Sequence, residues 1–537
     1  MAIGSTLLSF AAIAVVAAPP PAGDVHAVEN VRLPESTHDV TILLRDNRIA
    51  AIGSDVAVPP EAERIDGLGL TALPGFIDAF SELGIPTGKE GPPAASPSEG
   101  VAQDYGADAF AETAEASRRG LFPERRARLL LTALDKDATG KLRLGGFTDI
   151  LTAPVDGYLA GQACLVDLSD LPARDAVVAE PGWLHAKLRG GNREGGYPST
   201  VMGALAHLRQ VLLDAQRLRS WREAYHRSPG TIARPPSDDC LDTLIRVLER
   251  QAKLAFAVDS ENDIRRALAL AQEFHVDCVV VGAKEGWKCA AELAAAHVPV
   301  VVSLAFPDAP ERKGAKAKKA EAKKAESKPA EAKPDETKPD EKRVEPPAVP
   351  PAAAAPVAAA TEPTVAPSAT PPAAPAPIEW EIADAVLAEP LELFEQRQAK
   401  WLEEVENVER LLAAGVTVAL TTRGSTGVGD FFADLRVAIE KGLSADAAVK
   451  ALTETPAALF GVGHELGELK PGMAANLILV EGDLANAERA VRHVFVGGRH
   501  FEGAKKKEAK PGDAADKSAP GAEGKAGDAT KFDLTGN

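Results

Sequence analysis

The sequence predicts an α/β protein, and three features of its pattern say so. From about residue 145 to residue 304, short apolar runs alternate with stretches of helical period in a strand–helix–strand–helix–strand cadence. A parallel sheet requires such alternation, because each strand needs a crossover before its parallel neighbour. Both ends of the chain instead carry short strand-like runs separated by turn residues, the pattern of a small sheet.

Composition narrows the class. A chain of 537 residues is ample for a large core, and a hydrophobic fraction of 45% is ordinary for a globular protein. The 41 prolines and abundant alanine mark long non-globular segments. A formal charge of −18 argues against a nucleic-acid partner, whose footprint is a basic face. Cys164, Cys240, Cys278 and Cys289 are widely spaced and form no CxxC pair, so neither a zinc knuckle nor a disulfide framework is indicated. Cys278 sits in an apolar run and reads as a small buried hydrophobe.

The apolar run Thr6 to Ala18 has the length of a signal peptide and is short for a membrane span. Its Ala-rich end, followed by Pro19-Pro20-Pro21, suits processing near Ala17-Ala18, although no Lys or Arg precedes it. Residues 1–23 are therefore expected to be a signal peptide that directs the protein to the periplasm or cell surface; without export it would be cytoplasmic.

Val25 to Val28, Val40 to Leu44 and Ile49 to Gly53 read as strands, and Asp46-Asn47 predicts a hairpin between the last two. Leu73-Pro74-Gly75-Phe76-Ile77-Asp78-Ala79-Phe80-Ser81-Glu82-Leu83-Gly84 is a buried strand entered through a Pro-Gly turn. Further on, the helix beginning near Met202 carries Leu205, Leu208, Val211, Leu212 and Ala215 at the spacing of one buried face. Lys253 to Asp259 is a strand, Glu261 to Phe274 a helix, Val276 to Val281 a strand, Trp287 to Ala296 a helix and Val298 to Leu304 a strand. Lys313 to Arg343 is Lys, Ala, Glu and Pro, and Val344 to Pro377 is Pro-Ala-rich; neither buries enough apolar surface to offset chain entropy. The fold resumes at Ile378-Glu379-Trp380, and Val416 to Thr421 is the last strand of the cadence, with helices from Leu435 to Phe460.

The stretch Pro74-Gly75-Phe76-Ile77-Asp78 resembles the amidohydrolase superfamily, most closely its imidazolonepropionase-like members. A second stretch, Gly467-Glu468-Leu469-Lys470-Pro471-Gly472 through Ala475-Asn476-Leu477-Ile478, resembles that family's Gly-x-Leu-x-Pro-Gly-x-x-Ala-Asp-Leu-Val, with Asn476 where Asp is usual. Gly145-Gly146-Phe147-Thr148 is similar to its second strand, and Gly157 to Leu168 to one of its loops. The resemblance implies a (β/α)8 TIM-type barrel at 73–307 and 378–465. It also implies a small composite β-sandwich domain from 24–72 and 466–503. Residues 308–377 become a disordered insertion at the barrel mouth, and 504–537 a disordered tail.

The same resemblance implies a metal-hydrolase site, and here the residues depart from it. Active members hold metal with a His-x-His pair ending strand one, histidines on strands five and six, and an aspartate ending strand eight; the metal activates water. This chain has Phe80 and Glu82 at the first pair, Ala257 on strand five, Val281 or Gly282 on strand six, and Arg423 after Thr422 on strand eight. Phenylalanine and alanine offer no lone pair, a lone carboxylate does not make a site, and a guanidinium neither accepts a proton nor tolerates a nearby cation. No HxH, HxxxH or HExxH occurs, so no relocated ligand cluster is evident. His185 and His207 are the histidines of the barrel segment that bear on a pocket; an exposed or capping place on its helix is expected for His207, and His464 and His500 fall outside the mouth.

No metal or other cofactor is expected; a divalent ion such as zinc would require that the ligand positions be misassigned. No catalytic residue is assigned; the polar candidates at the strand ends are Glu82, Asp259 and Arg423, with Glu285 beside them. Arg423 is expected to pair with Glu82 in place of the missing cation, a buried pair whose loss would cost roughly 3 kcal/mol. No GxSxG elbow or Walker A sequence occurs, and Gly424-Ser425-Thr426-Gly427 lacks the lysine of a phosphate loop. The expected function is that of a non-catalytic binding or scaffold homologue with a small-molecule ligand at the mouth and protein or surface contacts through the insertion. The alternative is a divergent hydrolase of C–N bonds other than peptide bonds, such as cyclic amides.

Overall fold

The computed structural model describes residues 25–34, 36, 38–86, 120–190, 198–312 and 389–503. The expected signal peptide, the bulk of the expected insertion, the resumption at Ile378 to Trp380 and the expected tail lie outside the described residues. Contacts divide the chain into one unit of residues 1–307 with 402–537 and a second of residues 308–401.

Five strands come first: β1 (His26–Arg32), β2 (Asp39–Arg45), β3 (Arg48–Gly53), β4 (Glu63–Asp66) and β5 (Thr71–Pro74). The β2–β3 hairpin turns at Asp46 and Asn47 with φ of 54° and 62°, the left-handed pair that a two-residue turn requires and that Asx side chains tolerate. Ten strands follow: β6 (Phe76–Ser81), β7 (Phe147–Thr152), β8 (Leu159–Gln162), β9 (Cys164–Asp167), β10 (Val177–Ala179), β11 (Trp183–Lys187), β12 (Lys253–Val258), β13 (Cys278–Gly282), β14 (Val300–Ser303) and β15 (Val418–Thr421). The chain returns through β16 (Leu477–Glu481), β17 (Ala490–Val496) and β18 (Arg499–Glu502).

The helices are α1 (Ala127–Leu130), α2 (Lys136–Gly145), α3 (Val201–Arg227), α4 (Asp239–Leu248), α5 (Glu261–Phe274), α6 (Ala290–Ala295), α7 (Leu391–Val405), α8 (Asn407–Ala413), α9 (Val428–Glu440), α10 (Ala445–Leu452) and α11 (Glu454–Leu459). Helix α3 starts at Thr200, whose hydroxyl accepts from Gly203 N at 3.1 Å, and all five of its expected core residues are buried. Ser260 caps α5 in the same way, accepting from Asp263 N at 3.3 Å. Helix α5 packs on β12 and β13, while α10 and α11 pack on β15 and β6.

The two chain ends join in one eight-stranded sheet of order β18-β17-β16-β5-β1-β2-β3, with β4 on β1. They meet edge to edge, not face to face as a sandwich would, because β5 offers one edge to β1 and the other to β16, with Leu477 opposite Pro74. On this sheet Nδ1 of His493 lies 3.0 Å from Nε2 of His500, whose ring stacks on Phe495 at 4.9 Å.

The middle strands form two sheets, β15-β14-β13-β12-β11-β8 and β10-β9-β7-β6, and not one closed ring of eight parallel strands. Strands β11 to β15 are parallel, as are β6 and β7. The run Leu159–Asp167, expected as a loop, supplies β8 antiparallel to β11 and β9 antiparallel to β7, and Ala163 between them donates to Trp183 O at 2.9 Å. One extended segment thus bridges both sheets. Ala79, Phe80, Leu151, Leu165, Trp183, Val281, Val301 and Ala419 fill the core they share.

In the second unit, Arg397 donates to both carboxylate oxygens of Glu389, at 2.8 and 2.6 Å, and to Glu311 O at 3.2 Å.

One buried acid accounts for Asn476. Oδ2 of Asp149 accepts from Thr148 Oγ1 at 2.7 Å and Asn476 Nδ2 at 2.8 Å, and Asn476 Oδ1 accepts from Gly497 N at 2.6 Å. An aspartate at 476 would set a second carboxylate against Asp149 where an amide donor now stands. Burial pushes the Asp149 carboxyl up to about 7, Asp167 opposite it adds to the rise, and the Thr148 and Asn476 bonds oppose it. A folded-state value above the unfolded one means that this group's stabilisation is full below about pH 4 and is lost as pH rises through about 7. Urea unfolding of wild type and Asp149→Asn should therefore diverge between pH 5 and pH 8, with wild type losing on the order of 2 kcal/mol relative to the variant.

Candidate functional site

The C-terminal ends of β6 and β11 to β15 form a rim, and the register of the strands defines its floor. Lys187, Ala257, Val281, Val301 and Ala419 are successive register partners across five strands. Ala257 and Val281 are thus direct neighbours, and apart from Lys187 the row is aliphatic. Phe80 ends β6 inside the same core with 1% of its surface exposed. Its ring meets His185 edge-on at 4.6 Å between centroids.

His185 lies on β11, the first strand of the parallel run β11 to β15, a strand the sequence reading missed. The available signal was Pro181-Gly182 ahead of Trp183-Leu184-His185, the same entry as Pro74-Gly75 ahead of Phe76-Ile77-Asp78. His185 is 1% exposed, and neither ring nitrogen has a hydrogen-bond partner among the described residues. Burial lowers its pKa to about 3, helped by the charges of Lys187 and Arg423, so the ring is neutral. Lys187 donates from Nζ to Val155 O at 2.6 Å.

Asp78 is the second residue that sequence reasoning passed over. Its Oδ1 accepts from Phe80 N at 3.2 Å and Thr422 N at 3.3 Å, and its Oδ2 accepts from Thr422 Oγ1. Thr421 Oγ1 donates to Phe80 O at 2.6 Å. Burial raises the Asp78 pKa while its Thr422, Thr421 and Phe80 bonds pull it down. These contacts join β6 to β15, between which no strand ladder is formed among the described residues.

Arg423 follows β15 and reaches back over the floor, its Cζ 5.0 Å from the Phe80 ring centroid. Its backbone is fixed twice, with N donating to Thr421 Oγ1 at 3.1 Å and O accepting from Ser303 Oγ. The expected pair with Glu82 is present, but it is long and exposed instead of buried. Arg423 Nε stands 3.9 Å from Glu82 Oε1, and the two side chains are 32% and 41% exposed. The rim is open to solvent there, so water screens the pair.

The other expected residues are scattered. Asp259 is exposed just beyond β12. Glu285 is no pocket residue: it accepts from Glu261 N at 2.9 Å, capping α5, and from Lys288 Nζ at 2.8 Å. His207 is not exposed but 4% accessible, 6.3 Å from the Tyr158 ring, because its position on α3 faces inward. The four cysteines are buried and form no disulfide among the described residues, and burial lifts Cys164 and Cys278 to about 12 and Cys289 to about 11. Among the described residues no group of three His, Cys, Asp or Glu side chains is placed to hold a metal ion.

Residues 397–500 match the Amidohydrolase family. The match spans about a fifth of the chain, near its C-terminal end. An amidohydrolase from Thermotoga maritima is similar in structure, with 18% identity, a TM-score of 0.59 and coverage of 89% of this chain and 99% of that one. At a TM-score of 0.45 each, two further structures are similar over 89% of this chain. One is a prolidase complexed with N-methylphosphonate-L-proline (14% identity, 100% of its chain); the other is molinate hydrolase (17% identity, 95% of its chain). No curated protein matches the chain. The α/β fold is thus one whose structural neighbours include amidohydrolases.

The two polar networks of the rim should respond very differently to truncation. Asp78→Ala strands three donors, one buried and two half-buried, and should cost roughly 3 kcal/mol. Arg423→Ala removes a solvent-screened pair and should cost under about 1 kcal/mol. Chemical denaturation of both variants checks the contrast.

Proposed function

We propose that this amidohydrolase-type protein lacks the family's metal centre and acts as a non-catalytic binding or scaffold protein of the imidazolonepropionase-like kind. The observation that carries the reading is the donor set. A divalent ion at the rim would meet the Phe80 ring, the methyl groups of Ala257 and Val281, and the Arg423 guanidinium. None of these supplies a lone pair, and the last repels a cation. The residues do not fit a metal, so no hydrolytic step through one is derived. We read the two middle sheets as a (β/α)8-type barrel in which the antiparallel β8–β9 run takes the place of the third strand.

A second reading keeps hydrolysis of a C–N bond outside peptides. In its favour is the half-exposed Glu82 carboxylate beside Arg423, a polar pair at the rim. Against it stands the absence of any arrangement among the described residues that would position water between a base and an electrophile. Export through residues 1–23, a small-molecule ligand at the rim, no nucleic-acid partner and protein or surface contacts through the insertion complete the proposal.

Elemental analysis of chelator-free protein tests it. Zinc, manganese and iron should all stay at background, whereas near-stoichiometric metal would overturn the reading and revive the hydrolase.

A further inference from the structure

Arg423 differs from the other well-formed arginine–carboxylate contacts of its unit. Arg209 grips Glu273 through three bonds of 2.7 to 2.9 Å, and Arg250 closes on Asp277 at 2.9 and 2.6 Å. Arg189 donates to Asp263 at 2.8 Å, and Arg265 to Glu292 at 3.0 and 3.1 Å. Arg423 by contrast makes only the 3.9 Å approach to Glu82, and no side-chain hydrogen bond of its guanidinium is found among the described residues. Its fork is nonetheless held in position: the backbone is pinned at both N and O, and the guanidinium lies over the Phe80 ring. Behind it the floor is dry and uncharged, with Phe80, Val281, Val301 and Ala419 at 1% exposure or less and His185 neutral. The charges that bear on the His185 ring from the rim are both positive, those of Lys187 and Arg423. An anchored, half-exposed guanidinium on an apolar platform presents paired N–H donors at the spacing of two carboxylate oxygens.

We propose that the rim binds a small molecule bearing a carboxylate, which takes the Arg423 fork bidentately and displaces Glu82 from it. Lys187 adds a second positive charge to the same space, and the apolar floor weakens screening on one side of the contact. Glu82 acts as an internal competitor: at 3.9 Å it partly neutralises the guanidinium without occupying its donors. Asp259, exposed beyond β12, makes no ion pair with Arg423 among the described residues. The inference rests on the reading that the rim binds rather than hydrolyses, and it names the ligand class for that site.

Titration calorimetry of the full chain tests it, with succinate and inorganic phosphate as probes at up to about 10 mM, a range that captures millimolar dissociation constants. Succinate should bind saturably. Arg423→Met should weaken it roughly tenfold or more by removing the bidentate donor. Glu82→Gln should tighten it about two- to fivefold by removing the competitor, an effect the size of an exposed ion pair. That opposite response is one that a general loss of structure does not produce. Absence of heat in both wild type and Glu82→Gln, or binding unchanged in Arg423→Met, overturns the proposal. Phosphate binding without succinate binding overturns the carboxylate assignment. Metal analysis of the same samples separates the two failures: metal-free protein that ignores succinate sinks this inference alone, whereas metal-loaded protein sinks the reading beneath it.

Discussion

The Asp78 carboxylate is the interaction on which the arrangement of the rim depends. The middle strands form two sheets, and no backbone ladder closes β15 onto β6. A buried acid spans that seam instead, accepting from one backbone N–H on its own strand and from the backbone and hydroxyl of Thr422 on the other. Thr421 completes it by donating to Phe80 O. A buried carboxyl is costly unless its oxygens are hydrogen-bonded, so the two strand ends must stay in register for the cost to be met. Phe80 and Arg423 flank this knot, which is why their side chains meet.

The residues at the rim form a consistent set rather than a collection of losses. The phenylalanine at 80 provides a face for the guanidinium at 423. The same ring packs against His185, whose burial keeps it neutral, so no second cation is created under the arginine. Aliphatic side chains at 257, 281, 301 and 419 then fill the floor. Each choice agrees with its neighbours, as expected when one packing solution has replaced another. Asn476 follows the same logic away from the rim, its amide donating to an acid that a second acid would oppose.

Legibility in the sequence varied with the range of the interaction. The Asp46-Asn47 turn, the buried face of α3 and the helix Glu261–Phe274 follow from local pattern, because turn geometry and helical period are properties of neighbouring residues. The run Leu159–Asp167 was read as a loop because two four-residue strands either side of Ala163 are too short to show a period. Strand β11 was passed over for the same reason, and with it Lys187, so that His185 was named without its strand. Glu285 looked like a strand-end carboxylate, yet its partner is the amide of Glu261, 24 positions earlier. His207 was placed on the wrong face because a lone polar residue carries no direction of its own.

By itself the sequence determined the α/β class and the order of its main elements. Those follow from residue identity and from spacing along the chain. Only the tertiary structure decided that Arg423 and Glu82 stand 3.9 Å apart in solvent, that Asp78 holds the seam, and that β8 and β9 run antiparallel. Ion-pair separation, burial and strand direction are set by packing between residues up to hundreds of positions apart, and no local pattern encodes them.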